Sequence, residues 1–369
     1  MAAATTPKIL LVGATGYVGG TVLASLLDKK TGILSTFLPI TLLVRGVDRV
    51  KVLTSTYGEE AVQPVLYDGV DDLDTTAAVA AQHDIVINTA ISYHTPSAQA
   101  ILRGLAQRKA STGRDVWMFQ IAGTSNIADR PFTQAWIEKD PEREFDDAKD
   151  DIYAYEKERE AHAPYAQRTA ELAVVDGGLE LGVKTLVIMP GLIYGVGTGL
   201  FNKNSIQMLS YMKSALHYGF GTIVGDGSGV WGHVHVRDLA ELYKIAVLDV
   251  VENGGKRLPS GKKGIIFADN GRSTWLEVAQ GATTAVFEEG KIKENQVQSV
   301  DLKVGAVRLA EFMGFDKLES PLVVDAGLSS TARTVSSVAK SLGWTPTRGD
   351  EAWKKHFGEE LKILLAKTA

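Results

Sequence analysis

Short runs in which almost every residue is apolar alternate with longer stretches of mixed polarity through the first half of this 369-residue chain. A strand that is covered on both faces forms such an unbroken run, because neither side of it meets water. The runs predict five buried strands, at 8–12, 39–45, 61–68, 84–90 and 115–122, with helices between them such as 96–109. Strands that alternate with helices predict an α/β fold, a doubly wound parallel sheet with helices on both faces.

Three glycines spaced three apart, Gly13, Gly16 and Gly19, follow the first apolar run. Gly13 permits a tight turn, Gly16 lets the backbone come close to a pyrophosphate, and Gly19 lets the next helix pack against the strand. The anion would sit at the helix N-terminus, where free N–H groups and the macrodipole favour negative charge. This loop predicts dinucleotide binding, and its candidate cofactor-binding residues are Gly13, Thr15, Gly16, Tyr17, Val18 and Gly19.

Polar residues at the ends of the next strands are the other candidate cofactor contacts. Arg45 ends the second strand, where an acidic side chain would select NAD, whereas a guanidinium suits the 2′-phosphate of NADP. NADP is therefore the expected cofactor and NAD the less favoured one, with a plain surface arginine as the alternative interpretation. Asp68 ends the third strand and is expected to accept a hydrogen bond from the adenine. The backbone of Asn88, Thr89 and Ala90 is expected beside the ribose.

The composition narrows the class of protein. Hydrophobic residues make up 45% of the chain, and the formal net charge of −5 comes from 39 basic and 44 acidic residues. No basic stripe indicates nucleic acid or an anionic membrane surface, so a small-molecule substrate is expected. The chain has no Cys, which excludes disulfides and thiolate chemistry. No apolar run is long enough to cross a bilayer, and a cytoplasmic protein is expected.

Three further motifs follow in the second half of the chain. The segment 185–195 ends an apolar run in Pro190 and Gly191, 231–240 contains Trp-Gly-His-Val-His-Val-Arg-Asp, and 328–346 ends in Gly-Trp-Thr-Pro. Together with the glycine loop they resemble the short-chain dehydrogenase/reductase superfamily, in its extended or atypical branch of epimerase- and dehydratase-like proteins. The resemblance places Pro190 and Gly191 at the nicotinamide.

The resemblance also divides the chain. It implies an NAD(P)-binding domain at 1–190 and a mainly substrate-binding lobe at 191–369, from which some segments return to the sheet. The substrate is expected in the crevice between them, at the carboxyl ends of the strands. Homodimers are common in this superfamily and are the expected assembly if the chain has one.

In the resembled superfamily a Ser or Thr after the fifth strand orients the substrate oxygen, and a Tyr on the next helix exchanges the proton. A Lys four residues later lowers the pKa of that Tyr. The resemblance places Thr124 in the hydroxyl position, with Ser125 as the alternative. Tyr165 is the first candidate tyrosine, because it lies on the helix before the sixth strand, although Thr169 stands where the Lys is expected.

A literal Tyr-x-x-x-Lys occurs elsewhere, as Tyr153 and Lys157. Residues four apart lie on the same helix face, which is why the spacing carries chemistry. The distance of this pair from Thr124 fits the superfamily, whereas its distance to the sixth strand requires a long insertion. Tyr153 with Lys157 is therefore the alternative pair, and a protein in which neither tyrosine is catalytic is the third.

The missing lysine favours one direction of reaction. A tyrosine with an ordinary pKa near 10 is protonated at neutral pH, so it donates a proton readily and abstracts one poorly. Carbonyl reduction needs donation, whereas the first step of an epimerase or dehydratase needs abstraction. The sequence favours an NADPH-dependent reductase of a small or aromatic carbonyl compound. A nucleotide-sugar epimerase or dehydratase with bound NAD, and an NADP-sensing protein without catalysis, are the alternatives.

Two side-chain groups in the second half remain. His233 and His235 alternate to one face of a strand, but no third ligand with convincing spacing accompanies them, so no metal site is predicted. Four aromatic residues are candidates for the wall of an apolar substrate pocket, with a place in the core as the alternative: Tyr194, Phe201, Tyr211 and Trp231.

Overall fold

The computed structural model describes residues 6–28, 37–314 and 320–368, and its centre is a seven-stranded parallel sheet. In chain order the described strands are β1 (Ile9–Val12), β2 (Ile40–Val44), β3 (Val62–Leu66), β4 (Ile85–Asn88), β5 (Trp117–Ile121), β6 (Glu144–Asp146), β7 (Lys184–Pro190), β8 (Leu192–Tyr194), β9 (Gly221–Val224), β10 (Val230–His235), β11 (Ile265–Ala268), β12 (Arg272–Thr274), β13 (Val297–Val300) and β14 (Arg333–Val335). The central sheet has the order β3-β2-β1-β4-β5-β7-β11.

Helices follow most of these strands. In the same ranges they are α1 (Tyr17–Leu26), α2 (Val47–Tyr57), α3 (Leu73–Ala80), α4 (Thr95–Thr112), α5 (Ile152–His162), α6 (Ala166–Leu181), α7 (Ile206–Tyr218), α8 (Val236–Asn253), α9 (Trp275–Glu288), α10 (Leu302–Leu309), α11 (Ser320–Gly327), α12 (Ser337–Ser341) and α13 (Asp350–Thr368). Within the described residues, no helix combines the length and the apolar character that a bilayer span requires.

Both faces of the central sheet are covered, which is why its strands form apolar runs. Ile9 and Leu11 pack in one buried cluster with side chains of α1 and α8, while Leu10 and Val12 pack in another with α4 and α6. All four residues are fully or almost fully buried. The doubly wound parallel sheet expected from the sequence is confirmed, because successive residues of a strand face opposite helix layers.

The edge strand β11 was not among the predicted strands. It comes from the second half of the chain and pairs in parallel with β7, with Ile266 opposite Ile188. Its apolar run is only four residues long and follows a loop rich in Gly and Lys, so the pattern alone is weak there. The second half of the chain thus contributes to the sheet that carries the crevice.

The rest of the second half forms a smaller lobe with its own core. The strands β8, β10 and β12 form a three-stranded sheet, and β9 pairs with β13. Side chains of α7, α9 and α13 pack together around Trp275 and Tyr211, which are both nearly fully buried. This lobe lies at the carboxyl end of β7, because β8 follows that strand after a single residue.

Candidate active site

A cavity of about 550 Å³ opens at the carboxyl ends of the central strands. From β1 the chain builds the sheet towards β3 at one edge, and from β4 it builds towards β11 at the other. The order of strands therefore reverses between β1 and β4. Open α/β sheets bind their ligands in the crevice at such a switch point, and this cavity lies there.

The glycine-rich turn has the backbone geometry that a pyrophosphate requires. Gly13 has a φ of +94°, and its carbonyl accepts the N–H of Gly16 at 2.8 Å. A Cβ at Gly19 would lie 2.2 Å from the Gly13 oxygen, so only glycine lets α1 approach the turn this closely. No side chain caps α1, which leaves its first N–H groups available to an anion. The cradle fits a dinucleotide.

The remaining residues of this turn connect it to the cavity. Tyr17 and Val18 line the cavity, and Thr15 lies in the turn before them. The Tyr17 hydroxyl donates a hydrogen bond of 2.5 Å to the carbonyl of Gly195 in the smaller lobe. Burial raises the pKa of Tyr17 well above its ordinary value, so this hydroxyl stays a donor. The side chain of Tyr17 thus joins the glycine-rich turn to the smaller lobe.

The two charged candidates at the strand ends are exposed. Arg45 directly follows β2, and Asp68 lies two residues after β3. The backbone N–H of Asp68 donates to the carboxylate of Asp72 at 3.2 Å, which fixes the turn after the strand. Their predicted roles towards ribose, 2′-phosphate and adenine remain predictions.

The triplet after β4 divides into a structural residue and two cavity residues. The Asn88 side chain is buried, donates to Gln120 Oε1 at 2.8 Å and accepts the N–H of Ala90 at 3.3 Å. Both polar atoms of this side chain are therefore bonded within the protein, and the backbone contact predicted for Asn88 beside the ribose stays a prediction. Thr89 and Ala90 line the cavity, as their predicted positions beside the cofactor require.

The loop after β7 reaches the cavity as expected, but an unpredicted carboxylate holds it. Pro190 and Gly191 both line the cavity, and the N–H of Gly191 donates to Asp269 Oδ1 at 2.8 Å. Thr334 donates to the other oxygen of that carboxylate. Burial raises the pKa of Asp269 to about 6. No sequence pattern pointed to Asp269, because it directly follows the missed strand β11.

The structure brings Ser125, not Thr124, to Tyr165. Tyr165 immediately precedes α6, lines the cavity and donates to the Ser125 hydroxyl across 3.4 Å. Thr124 is fully buried, its hydroxyl has no partner among the described residues, and it does not line the cavity. The expected hydroxyl position is therefore corrected from Thr124 to the alternative. The cause is the 3-10 turn at Thr124–Asn126, which turns neighbouring side chains in different directions.

The alternative pair Tyr153 and Lys157 is wrong as an active-site dyad. Both side chains bind Asp176 of α6, the Tyr153 hydroxyl at 2.6 Å and the Lys157 ammonium at 3.2 Å. Neither residue lines the cavity. The hydrogen bond to Asp176 raises the pKa of Tyr153 to about 12, which further removes it from proton exchange. The helical spacing is real, but this face of α5 packs on α6.

Sequence reasoning missed a polar relay beside Tyr165. The Ser125 hydroxyl donates to Gln167 Oε1 at 2.6 Å, and Gln167 Nε2 donates to the hydroxyl of Ser92 at 2.9 Å. All four side chains line the cavity. Gln167 lies two residues after the tyrosine, where the sequence carries no motif, so only the fold could reveal it.

The walls of the cavity are apolar or carry uncharged polar groups. The described lining residues include Ile91, Ile121, Ile193, Trp231, Met313 and Leu322, together with Asn202, Asn204 and Gln207, and none of them is Asp, Glu, Lys, Arg or His. Of the four aromatic candidates, Trp231 lies in this wall. Tyr194 and Tyr211 belong to a buried cluster and the partly buried Phe201 packs against another, as their alternative interpretation had it.

A glycine cradle at the switch point, with a tyrosine–serine pair beside it, is typical of a dinucleotide-binding protein. The model of the NAD dependent epimerase/dehydratase family matches residues 9–257, and the chain belongs to this family. The predicted resemblance to the extended short-chain dehydrogenase/reductase branch is thereby confirmed.

Individual relatives are distant. The oxidase ucsJ of Acremonium sp is 27% identical over 307 residues, which cover 80% of this chain and 83% of that protein. Among solved structures, dTDP-glucose 4,6-dehydratase DesIV of Streptomyces venezuelae has a TM-score of 0.63 at 12% identity, with 98% of each chain covered. Vestitone reductase of alfalfa has a TM-score of 0.59 at 14% identity, with 97% of this chain and 99% of that one covered. These structures share the fold.

Proposed function

We propose that the protein is an NADPH-dependent reductase that acts on the carbonyl group of a neutral, largely apolar metabolite. The observation that carries the proposal is the pair Tyr165 and Ser125, which opens into a cavity without a charged side chain among its described lining residues. A nucleotide sugar brings a diphosphate, which proteins normally bind with Arg or Lys. A neutral aldehyde or ketone suits this wall better.

Each group at the site has a role in such a reaction. When bound, the reduced nicotinamide supplies a hydride to the carbonyl carbon. Ser125 and Tyr165 present their hydroxyls to the carbonyl oxygen, and Tyr165 donates its proton to that oxygen as negative charge develops there. The apolar side chains exclude water from the reacting atoms. The relative named as an oxidase supports oxidoreductase chemistry in general.

The experiment that tests the reaction is NADPH consumption by the purified protein on a panel of neutral aldehydes and ketones. Tyr165→Phe is expected to lower kcat by at least about a hundredfold, because it removes the proton donor. Tyr153→Phe is the matched control, since it removes the same hydroxyl from a tyrosine outside the cavity and should leave kcat unchanged. Equal turnover by wild type and Tyr165→Phe would overturn the assigned role.

The choice of NADP rests on Arg45 and has its own test. Titration of wild type with NADPH and NADH, followed by cofactor fluorescence, is expected to show tighter binding of NADPH. Arg45→Ala should abolish this preference, while Arg49→Ala, another exposed arginine of the same segment, should preserve it. A preference for NADH in the wild type would contradict the assignment.

A nucleotide-sugar epimerase or dehydratase with bound NAD is the second candidate, because the family carries that name. Solved structures with the same fold include a dTDP-glucose 4,6-dehydratase with NAD bound. Conversion of a nucleotide sugar without net consumption of NADPH would favour this candidate. Tight cofactor binding without turnover of either substrate class would instead favour an NADP-sensing protein.

A further inference from the structure

Arg130 contacts both Tyr165 and the backbone of Ser125, and it is not among the residues that line the cavity. Its guanidinium carbon lies 4.8 Å from the centre of the Tyr165 ring, over the ring face. One terminal nitrogen, Nη2, donates to the backbone carbonyl of Ser125 at 2.9 Å. The other, Nη1, donates to the carbonyls of Ala128 and Asp129 at 2.7 and 2.8 Å. A single side chain therefore fixes the loop that carries Ser125 and packs on the tyrosine.

The guanidinium of Arg130 is buried, and burial of a positive charge costs free energy. The residue is only 5% exposed, and its three hydrogen bonds all go to main-chain oxygens rather than to a carboxylate. Burial lowers the pKa of its guanidinium, but an arginine remains cationic at neutral pH. A buried cation without an ion-pair partner destabilises a fold unless another interaction offsets the cost.

The position that would normally supply a cation to the tyrosine holds no charge. Four residues after Tyr165 stands Thr169, whose exposed hydroxyl bonds to Glu160 and to the Tyr165 carbonyl. Arg168 instead binds Glu160, the Asn126 carbonyl and the Ala163 carbonyl. Its guanidinium carbon is 6.0 Å from the ring centre, farther than that of Arg130.

We propose that Arg130 is a positioning residue that supplies the positive charge for Tyr165, in place of the absent lysine. When the O–H bond of Tyr165 breaks and the proton passes to the substrate oxygen, the bonding electron pair stays on the phenolic oxygen. The guanidinium above the ring stabilises that negative charge, and the reduced nicotinamide is the hydride donor that balances the reaction. This inference rests on the proposed reductase function.

The other ionisable groups around the pair constrain the test. Glu160 accepts the backbone N–H of Tyr165 at 3.2 Å, and the guanidinium carbon of Arg168 lies 6.0 Å from the centre of the Tyr165 ring. Asp129 and Asp325 act on Arg130 through space and partly offset its charge, while Arg159 faces the same loop. Substitutions must therefore remove the charge of Arg130 while they leave these groups in place.

The experiment compares Arg130→Met, Arg130→Lys and Arg159→Met. Methionine keeps the length of the side chain without its charge, and lysine keeps a charge of similar reach. Arg159 is the matched control, because it donates to the Ala128 carbonyl at 2.6 Å while its guanidinium lies over Trp136 and Tyr155, not over Tyr165. Thermal unfolding of each variant shows which of them fold.

The first readout is the pH dependence of kcat/KM for carbonyl reduction. Arg130→Met is expected to lower kcat about tenfold to a hundredfold and to move the alkaline limb to higher pH, because the positive charge that favours the phenolate is lost. KM should change little. Arg130→Lys should recover the position of the limb, and Arg159→Met should not move it. A limb that stays in place in Arg130→Met overturns the proposal.

The second readout needs no turnover and separates this proposal from the proposed function. The phenolate absorbance that Tyr165→Phe removes is measured against pH, with and without Arg130→Met. Its midpoint is expected to rise when the guanidinium is absent. A shift without any carbonyl reductase activity would sustain the role of Arg130 and overturn the proposed function. No shift in a folded Arg130→Met variant would overturn the role of Arg130, whatever the activity.

Discussion

The two sides of the segment 123–130 differ sharply in charge. On its cavity side, the described lining residues carry no charged group. Behind it lies a buried charged layer, whose five members are each at most 5% exposed: Arg130, Glu156, Arg159, Arg168 and Glu171. Four of these side chains bond directly to the segment: Arg130, Arg159 and Arg168 through main-chain carbonyls, and Glu171 through the side chain of Asn126.

The two acids of the charged layer differ from surface acids in their ionisation. Burial and their mutual repulsion raise the pKa of Glu156 well above its ordinary value, and burial raises that of Glu171 to about 8. Asn126 donates to Glu171 at 2.5 Å. Two carboxyls that face each other in a dry interior hold a proton between them. The comparison shows that the charged side chains of this region lie outside the cavity wall, while the described lining residues of the cavity are neutral.

The largest expected effect comes from breaking the charged layer at Arg168. Arg168→Met removes an ion pair of 2.9 Å with Glu160 and leaves the Asn126 carbonyl without its donor. The free energy of unfolding is expected to fall by about 3 kcal/mol, since removal of one buried partner leaves the others unpaired. Chemical denaturation measures it.

The control for that prediction is the exposed pair of Lys355 and Glu351. Lys355→Met removes an ion pair of the same kind from the surface of α13, where water replaces the lost contact. Its stability should stay close to that of the wild type. If Arg168→Met were no more destabilising than this control, the charged layer would not hold the segment 123–130.

The second-largest expected effect comes from a negative charge placed among the neutral residues that line the cavity. Gln167→Glu keeps the shape of the side chain and its bond from Ser125, but it adds a negative charge beside the proton donor. That charge opposes the negative charge that develops during proton donation, so kcat/KM should fall about tenfold to a hundredfold, or 1.4–2.7 kcal/mol. Stability should change little, because Gln167 is only partly buried.

Steady-state kinetics and thermal unfolding of the same Gln167→Glu preparation check that prediction. Gln207→Glu, a charge on the lobe side of the same cavity, is the control for a mere loss of substrate affinity. It should raise KM and leave kcat nearly unchanged. A fall in kcat of equal size in both variants would contradict a special role for the groups beside Tyr165.

The sequence predicted the sheet and the cofactor turn because both depend on local pattern. A strand covered on two faces must be apolar throughout, and the turn at Gly13 requires a residue that tolerates a positive φ. The strand β11 was not predicted, because a run of four apolar residues is too short to distinguish a strand from a loop. Counting back along the chain from the sixth strand predicted the position of Tyr165 beside the cavity, while its role in proton exchange stays a prediction.

The active site itself depends on contacts that local pattern does not encode. Thr124 and Ser125 are adjacent, and only the 3-10 turn decides which of them meets Tyr165. The spacing of Tyr153 and Lys157 is correct for one helix face, but the spacing does not tell which neighbour that face meets. Arg130 lies 35 residues before Tyr165, and its place over the ring follows from tertiary packing alone.

The smallest expected effect concerns the pH dependence of stability, and it isolates the carboxyl pair. A carboxyl whose folded pKa is about 8 binds a proton that the unfolded chain has lost above pH 4.5, so stability falls as pH rises through this window. The buried histidines His233, His235 and His356 have pKa values lowered to about 4, 4 and 3, so their stability contribution is lost only as pH falls below about 6.5. Between pH 6.5 and 8 the carboxyls act without the histidines.

In that range Glu171→Gln should make the stability curve shallower. A difference of one bound proton between the folded and unfolded states corresponds to a slope of up to about 1.4 kcal/mol per pH unit. Glutamine does not titrate, so this difference is lost in the variant, while its side-chain oxygen still accepts the hydrogen bond from Asn126. Urea denaturation at pH 6.5, 7.3 and 8.0, values chosen to lie within the window that the pKa values define, measures the slope. Glu360, which is also buried with a pKa raised to about 8, and Glu156, whose pKa burial also raises, remain in both proteins and set the residual slope. An unchanged slope in Glu171→Gln would mean that both carboxyls of the pair are ionised in the folded protein. That result would contradict the raised pKa values of Glu156 and Glu171.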